Sequence, residues 1–233
     1  GIYNLKILTI AKRFKPDIII TDFEPFSCYY ALLTGKKCIC IDNQHIINAK
    51  LDKKNYFERL IVRAMIPHAN HFLITTFFYP KLLKKNRYLF PPINRKEIFN
   101  AKVKDKSFIL VYQTSKSDKK LIPSLRKVDY KFKIYGFNIE KSIDNLHFKR
   151  FDEKQFIKDM AECSGIICNG GFTTIGEALY MHKPILSIPV EKQFEQRNNA
   201  HYLAKLGHGS YAKHLNVKII NAFLKNINKF KQN

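Results

Sequence analysis

Glycine, threonine and glutamate recur at ligand-binding spacing in one stretch of this chain. Asn169-Gly170-Gly171 is followed by Thr173-Thr174 and, one helical turn further on, by Glu177. Two adjacent glycines let a backbone turn tightly and come close to a bound group. A helix over Phe172–Met181 leaves its first N–H groups without intrahelical partners, and its dipole favours a negatively charged ligand there. Glu177 then lies too deep for a phosphate but at the depth of sugar or ribose hydroxyls. A Gly-Gly pair alone is a turn; the full combination is far more selective. Downstream, Gln193, Glu195, Gln196 and Asn199 add amides and a carboxylate in one polar stretch.

The elements that position these residues are legible around them. Gly165–Asn169 is an apolar run long enough for a buried strand and too short for a helix. The helix over Phe172–Met181 buries Ile175, Ala178 and Leu179, and Lys183-Pro184 ends it. Ile185–Val190 reads as a second buried strand, and the polar segment Glu191–Asn199 leads into a helix that stops at Gly207. Upstream, strands at Phe108–Tyr112, Lys131–Tyr135 and His147–Phe151 alternate with helices at Leu121–Val128 and Glu153–Cys163. The first part alternates too. Strands at Ile18–Thr21, Cys38–Ile41 and Phe72–Thr75 are separated by helices at Phe26–Leu33 and Tyr56–Ile66, the latter with Phe57, Leu60, Ile61 and Ala64 inward. Such alternation predicts an α/β protein with parallel sheets covered by helices. The organisation expected is a first domain over 1–90, with a strand near Tyr88–Phe90, and a linker over 91–106. A second domain over 107–215 and a terminal helix over 216–233 that packs back toward the first domain follow.

Composition bounds the class. With 45% hydrophobic and 13% aromatic residues the chain is no disordered protein, and no apolar run approaches the roughly 18 residues of a membrane span. Cys28, Cys38, Cys40, Cys163 and Cys168 are odd in number and sit in strand-like runs, which reads as reduced, buried thiols and a cytoplasmic home. The formal charge is +22, from 41 Lys+Arg against 19 Asp+Glu. That favours anionic partners such as nucleotide phosphates, acidic lipid headgroups or nucleic acid; a Lys-, Asn- and Ile-rich composition accounts for many of the lysines equally well. The histidines lack carboxylate or cysteine partners at ligand spacing, so no metal site is expected.

Taken together, N-G-G-x-T-T-x-x-E-A-L, K-P-I-L-x-x-P, E-Q-x-x-N-A and L-x-x-L-G resemble the donor-binding half of GT-B glycosyltransferases. The nearest pattern is that of the family 28 and UDP-glucuronosyltransferase-like enzymes. The resemblance implies two Rossmann-like parallel-sheet domains facing a cleft, the first truncated here. It implies that Gly170, Gly171, Thr173 and Thr174 cradle the diphosphate of a nucleotide sugar and that Glu177 takes the ribose hydroxyls. Gln196, with Glu195 and Gln193, would hold the sugar, and Asn199 would support that loop or touch phosphate. Asn169 stands where many relatives carry His or Ser. Gln113 and Ser115 belong to a loop that approaches the phosphates but lacks its usual glycines, and Phe151 matches a position whose backbone contacts the base. Asp22 matches an Asp that orients a catalytic His; capping of the next helix by Asp22 or Glu24 is an equal reading.

The activity implied is inverting transfer of a sugar, UDP-linked, to an acceptor hydroxyl, with no metal and no cofactor beyond the nucleotide sugar. A lipid-linked acceptor at an acidic membrane surface, with the protein peripheral on its inner face, suits the charge. Two other readings stay open: a nucleotide-sugar 2-epimerase of the same architecture, and a non-catalytic basic module that binds RNA or a membrane surface. Relatives run through several βα units before the strand that here arrives at residue 17, and only three strands precede the linker. The expectation is therefore a shortened chain, or one whose exposed sheet is covered by a partner chain or a second copy. Alone it should bind nucleotide but transfer sugar poorly.

Overall fold

The computed structural model describes residues 2–52, 55–113, 119–191 and 193–231, in two compact units, Gly1–Pro92 and Ile93–Asn233. In the first unit α1 (Ile2–Phe14), β1 (Ile18–Thr21), α2 (Pro25–Thr34) and β2 (Lys37–Asp42) are followed by a 3₁₀ turn (Gln44–Asn48). Then come α3 (Tyr56–Met65), β3 (His71–Thr75) and β4 (Arg87–Phe90). The four strands form one parallel sheet in the order β1-β2-β3-β4. Local chemistry sets the helix ends. The Glu24 carboxylate accepts from the N–H groups of Phe26 (2.9 Å) and Ser27 (2.8 Å) to start α2, and Gly35, at φ 69°, closes it in the left-handed conformation that glycine adopts without penalty.

The sheet has four strands rather than three, because the expected strand near Tyr88–Phe90 is a full member of it. β1 is buried on one face only: Ile18 and Ile20 are exposed while Ile19 and Thr21 are not. The apolar stripe of α3 faces outward, with Phe57, Leu60, Ile61 and Ala64 all exposed and Val62 buried instead. The reason is an anchor on the other side of that helix. Arg59 donates from Nε to the Ile47 carbonyl (2.8 Å) and from Nη2 to the Ala49 carbonyl (2.9 Å), which fixes the polar flank of α3 against the 3₁₀ turn.

The second unit runs α4 (Lys96–Phe99), β5 (Phe108–Tyr112), α5 (Leu121–Arg126), β6 (Lys131–Tyr135), β7 (Lys141–Ile143), β8 (Leu146–Phe148) and α6 (Glu153–Glu162). It continues with β9 (Gly165–Cys168), α7 (Phe172–Tyr180), β10 (Ile185–Ser187), α8 (Phe194–Lys205), β11 (Gly209–Tyr211), α9 (Val217–Lys225) and α10 (Ile227–Lys231). The sheet order is β11-β10-β9-β5-β6-β8-β7, parallel except for β7. It has seven described strands rather than the five expected. Ile109, Val111, Phe132, Ile134, Ile167 and Leu186 form the centre of its core. Each such side chain contributes roughly 1.5–3 kcal/mol on burial.

The stretch read as a linker is built into this unit. Lys104 and Lys106 donate their N–H groups to the carbonyls of Ala161 and Glu162, both at 2.9 Å. The buried Lys183 ammonium donates to the Lys104 carbonyl (2.6 Å) and the Cys163 carbonyl (2.7 Å), so the charge is solvated by backbone. The terminal segment is two helices, and Ile220 and Phe223 of α9 are buried in the core of this second unit. Beneath α6, Asp159 is fully buried and accepts from Lys133 (2.6 Å), Lys149 (2.8 Å), the Tyr135 hydroxyl (2.7 Å) and Gln155 (3.1 Å). Burial alone pushes this carboxyl up, but the two ammonium groups and the hydroxyl outweigh it and hold it below the ordinary value. All five cysteines are buried and unpaired. Among the described residues no helix is long and apolar enough to cross a membrane.

Candidate functional site

The glycine-rich turn joins the carboxyl end of β9 to α7. Gly170 has φ 95°, and a Cβ there would sit 2.7 Å from Ser187 Oγ and 3.2 Å from the Gln196 carbonyl, so glycine is required. Gly171 is different. It is extended at φ −62°, ψ 136°, and a Cβ there would meet nothing within 4 Å. Open space therefore lies over the turn on the side where α7 begins. No side chain caps α7, and its first helical bond runs from Ile175 N–H to the Gly171 carbonyl at 3.1 Å. The N–H groups before Ile175 stand outside the helical ladder. Thr173 is exposed and Thr174 half-buried at this end.

Three amides tie the turn to its surroundings. Asn199, fully buried, donates to the Gly170 carbonyl at 3.3 Å. Gln196 accepts from Val190 N–H at 3.0 Å, and Asn169 donates to the Ile188 carbonyl at 3.2 Å. Gln196 and Asn199 lie on α8, which begins at Phe194 and not after Asn199 as the polarity of the segment suggests. Their spacing of three places both on the helix face toward the Gly170 turn. Gln193 precedes the first residue of α8, is exposed and makes no capping bond through its side chain, and Glu195 is half-buried.

Next to β9 the register pairs Tyr112 with Cys168, which brings Gln113 alongside Asn169. Gln113 Nε2, Ser187 Oγ and Asn199 Oδ1 are buried polar atoms without a hydrogen-bond partner among the described residues. Unmade hydrogen bonds of this kind cost about 1–3 kcal/mol each and single out places where a ligand or water belongs.

Glu177 is 1% exposed, and an arginine that sequence reasoning missed covers it. Arg95 donates from Nε to Oε1 (2.6 Å) and from Nη2 to Oε2 (2.8 Å), while its Nη1 reaches Glu153 (2.6 Å). This fork-on-fork pair is the strong geometry for Arg and carboxylate. The hydrogen bonds to Glu177, above all other causes, raise the guanidinium further above its ordinary value. Arg95 lies in the charged run read as a linker, and its partner is 82 residues away, so no local pattern betrays the pair.

The remaining expected residues are more scattered. Phe151 is 54% exposed, with its ring 6.3 Å from that of Tyr112 and 5.4 Å from that of Phe156. Ser115 lies outside the described residues. In the first unit Asp22 is exposed, and Glu24 rather than Asp22 caps α2. One cluster of metal-ligand residue types occurs among the described residues, Cys40, Asp42 and His45, with donor atoms within 4.8 Å of one another. They are hydrogen-bonded to one another. Asp42 Oδ2 is 2.6 Å from His45 Nδ1 and accepts from Cys40 Sγ at 2.8 Å, and burial, then Asp42, keeps the Cys40 thiol protonated by raising it far above its ordinary value.

Comparison with known proteins agrees with this architecture. A family model described as glycosyl transferase family 1 matches residues 4–228. An uncharacterised glycosyltransferase of Methanosarcina mazei is 23% identical over 235 residues, covering 88% of this chain and 62% of the relative. The chain thus spans less than two thirds of that relative's length. Among solved structures, spinosyn forosaminyltransferase SpnP superposes with a TM-score of 0.65 at 13% identity, over 99% of this chain and 73% of that one. MurG of Acinetobacter baumannii gives 0.62 at 15%, over 98% and 70%. Phytolacca americana UGT2, complexed with UDP-2-fluoro-glucose and pterostilbene, gives 0.66 at 12%, over 99% and 71%. At these identities the structural likeness carries the fold alone. The match over residues 4–228 carries the family: the chain belongs to glycosyl transferase family 1, with the fold of the GT-B glycosyltransferases.

Proposed function

We propose that this chain takes part in transferring a hexosyl group from a UDP-linked donor to an acceptor hydroxyl, with inversion and with no step assigned to a metal. The observation that carries the reading is the open space over Gly171 at an uncapped helix start, beside unpartnered buried polar atoms of Gln113, Ser187 and Asn199. A diphosphate seated there gains the N–H groups at the start of α7 and the helix dipole. As the sugar–oxygen bond breaks, negative charge grows on the leaving diphosphate, and donors already aimed at it stabilise that charge without reorganising. Thr173 and Thr174 add hydroxyl donors, Gln196 has an amide NH₂ free for a sugar hydroxyl, and Glu177 accepts the ribose diol.

The Arg95 fork occupies both Glu177 oxygens, so ribose binding requires Arg95 to give way. An acceptor hydroxyl attacking with inversion needs a base, which we assign to a partner chain. The +22 charge supports a lipid-linked acceptor at an acidic membrane face and a cytoplasmic, peripheral location. Titration calorimetry with UDP, GDP and dTDP tests the donor. UDP binding at least tenfold tighter than dTDP supports the reading; failure of all three to bind refutes it.

A further inference from the structure

The first unit holds a cavity of about 510 Å³ that the sugar-transfer scheme does not use. α3, the 3₁₀ turn and the segments entering β3 and β4 wall it. Four cations line it, Arg59, Arg63, Lys84 and Arg87, and no carboxylate does. Like charges gathered around one cavity repel each other, and an anion entering it relieves that repulsion.

The cations are organised rather than merely near. Arg59 is pinned by its two bonds to the Ile47 and Ala49 carbonyls, which spend two of its five N–H donors and fix the plane of the fork. Arg87 stacks over Phe72, with its guanidinium carbon 5.2 Å from the ring centroid. Its Nε is buried and has no hydrogen-bond partner among the described residues. Burial first, and then the charge of Arg59, push the Arg87 guanidinium below its ordinary value. None of the four makes an ion pair among the described residues. At the inner wall His45 is held through Nδ1 by Asp42 at 2.6 Å, which leaves its other ring nitrogen as the group that meets a ligand. The wall also includes Leu60, Ile66 and Phe72.

We propose that this cavity is a binding site for a phosphate ester, whose anion bridges Arg59 and Arg87 and whose organic body rests on the exposed Leu60 side chain. An oxygen of the phosphate supplies the acceptor that Arg87 Nε lacks, and the planar forks of two arginines match phosphate geometry. Arg63 and Lys84, at the exposed rim, draw the anion in. No residue is shared with the Gly170-Gly171 turn, so the proposal stands or falls apart from the nucleotide reading.

The test follows the Arg87 Nε–H resonance by ¹H–¹⁵N NMR, assigned by its loss in Arg87→Lys, while inorganic pyrophosphate is added to the whole chain. Saturable movement of that resonance is expected, and pyrophosphate affinity read from the backbone amide of Phe72 should fall by about tenfold or more in Arg87→Gln and in Arg59→Gln. Competition by vesicles of phosphatidylcholine with a tenth phosphatidic acid would identify the source as a lipid headgroup; its absence would identify a soluble phosphate ester. No movement of the Arg87 resonance up to millimolar pyrophosphate overturns the proposal, whatever the variants do. So does an unchanged pyrophosphate affinity in a folded Arg87→Gln.

Discussion

Alanine at Gly171 and alanine at Gly170 should have opposite consequences. At Gly171 the backbone is extended, at φ −62°, and a methyl meets nothing within 4 Å. Shortening the unfolded chain's conformational freedom stabilises by about 0.4–1 kcal/mol, and alanine's poor record as a helix N-cap costs about as much. Stability should stay within about 1 kcal/mol of the parent. Ligand binding should not survive so well. The methyl fills the space through which a diphosphate oxygen approaches the uncapped N–H groups, and losing one charged hydrogen bond of about 1.5–3 kcal/mol weakens UDP by about 10- to 150-fold. At Gly170 the residue sits at φ 95° and a methyl would lie 2.7 Å from Ser187 Oγ. Backbone strain of roughly 1–2 kcal/mol and overpacking of roughly 1–3 kcal/mol add to about 2–5 kcal/mol, or a melting point lower by about 4–20 °C. Differential scanning calorimetry and UDP titration on both variants decide it. Gly171→Ala binding UDP like the parent would refute the placement of the anion; equal melting points for the two variants would refute the account of the turn.

The Arg95–Glu177 pair and the Asp159 network give two further tests. Arg95→Ala leaves a buried carboxylate without its cation, a break that costs about 3–5 kcal/mol when both partners are buried. Because the Arg95 side chain is 32% exposed and alanine admits water, about 1–3 kcal/mol is expected in urea unfolding. Adding Glu177→Ala should recover part of it, and single-variant effects that add within about 0.5 kcal/mol would show that the pair is not coupled. Asp159 has its folded value below the ordinary 3.8. Its contribution is therefore present above about pH 4 and lost as pH falls through the folded value. Stability measured from pH 6 to pH 2.5 should fall more steeply in the parent than in Asp159→Asn, and parallel slopes would contradict this.

Much of the second unit was legible because its strands are apolar runs bounded by Gly, Pro or charge, as at Phe108–Tyr112 and Lys131–Tyr135. Lys141–Ile143 and Gly209–Tyr211 escaped notice, since three residues at a sheet edge carry too little pattern to read. Amphipathic spacing revealed that α3 has an apolar stripe but not which way it faces; that direction is set by where Arg59 is anchored. The Gly170-Gly171 turn was visible because its requirements are local. Arg95 was not, because a charge run looks alike whether solvated or folded over a carboxylate 82 residues away.

The central claim is that Glu177 reads a ribose beside an anion held at the start of α7. Titration of UDP and 2′-deoxy-UDP against the parent chain and Glu177→Gln tests it most directly. Comparing the two nucleotides on each protein cancels any effect of the substitution that is common to both, such as a change in stability. The parent should prefer UDP by about tenfold or more, the worth of one charge-assisted hydrogen bond, and Glu177→Gln should lose most of that preference. Equal affinities for the two nucleotides in the parent, or an undiminished preference in the variant, would contradict the account.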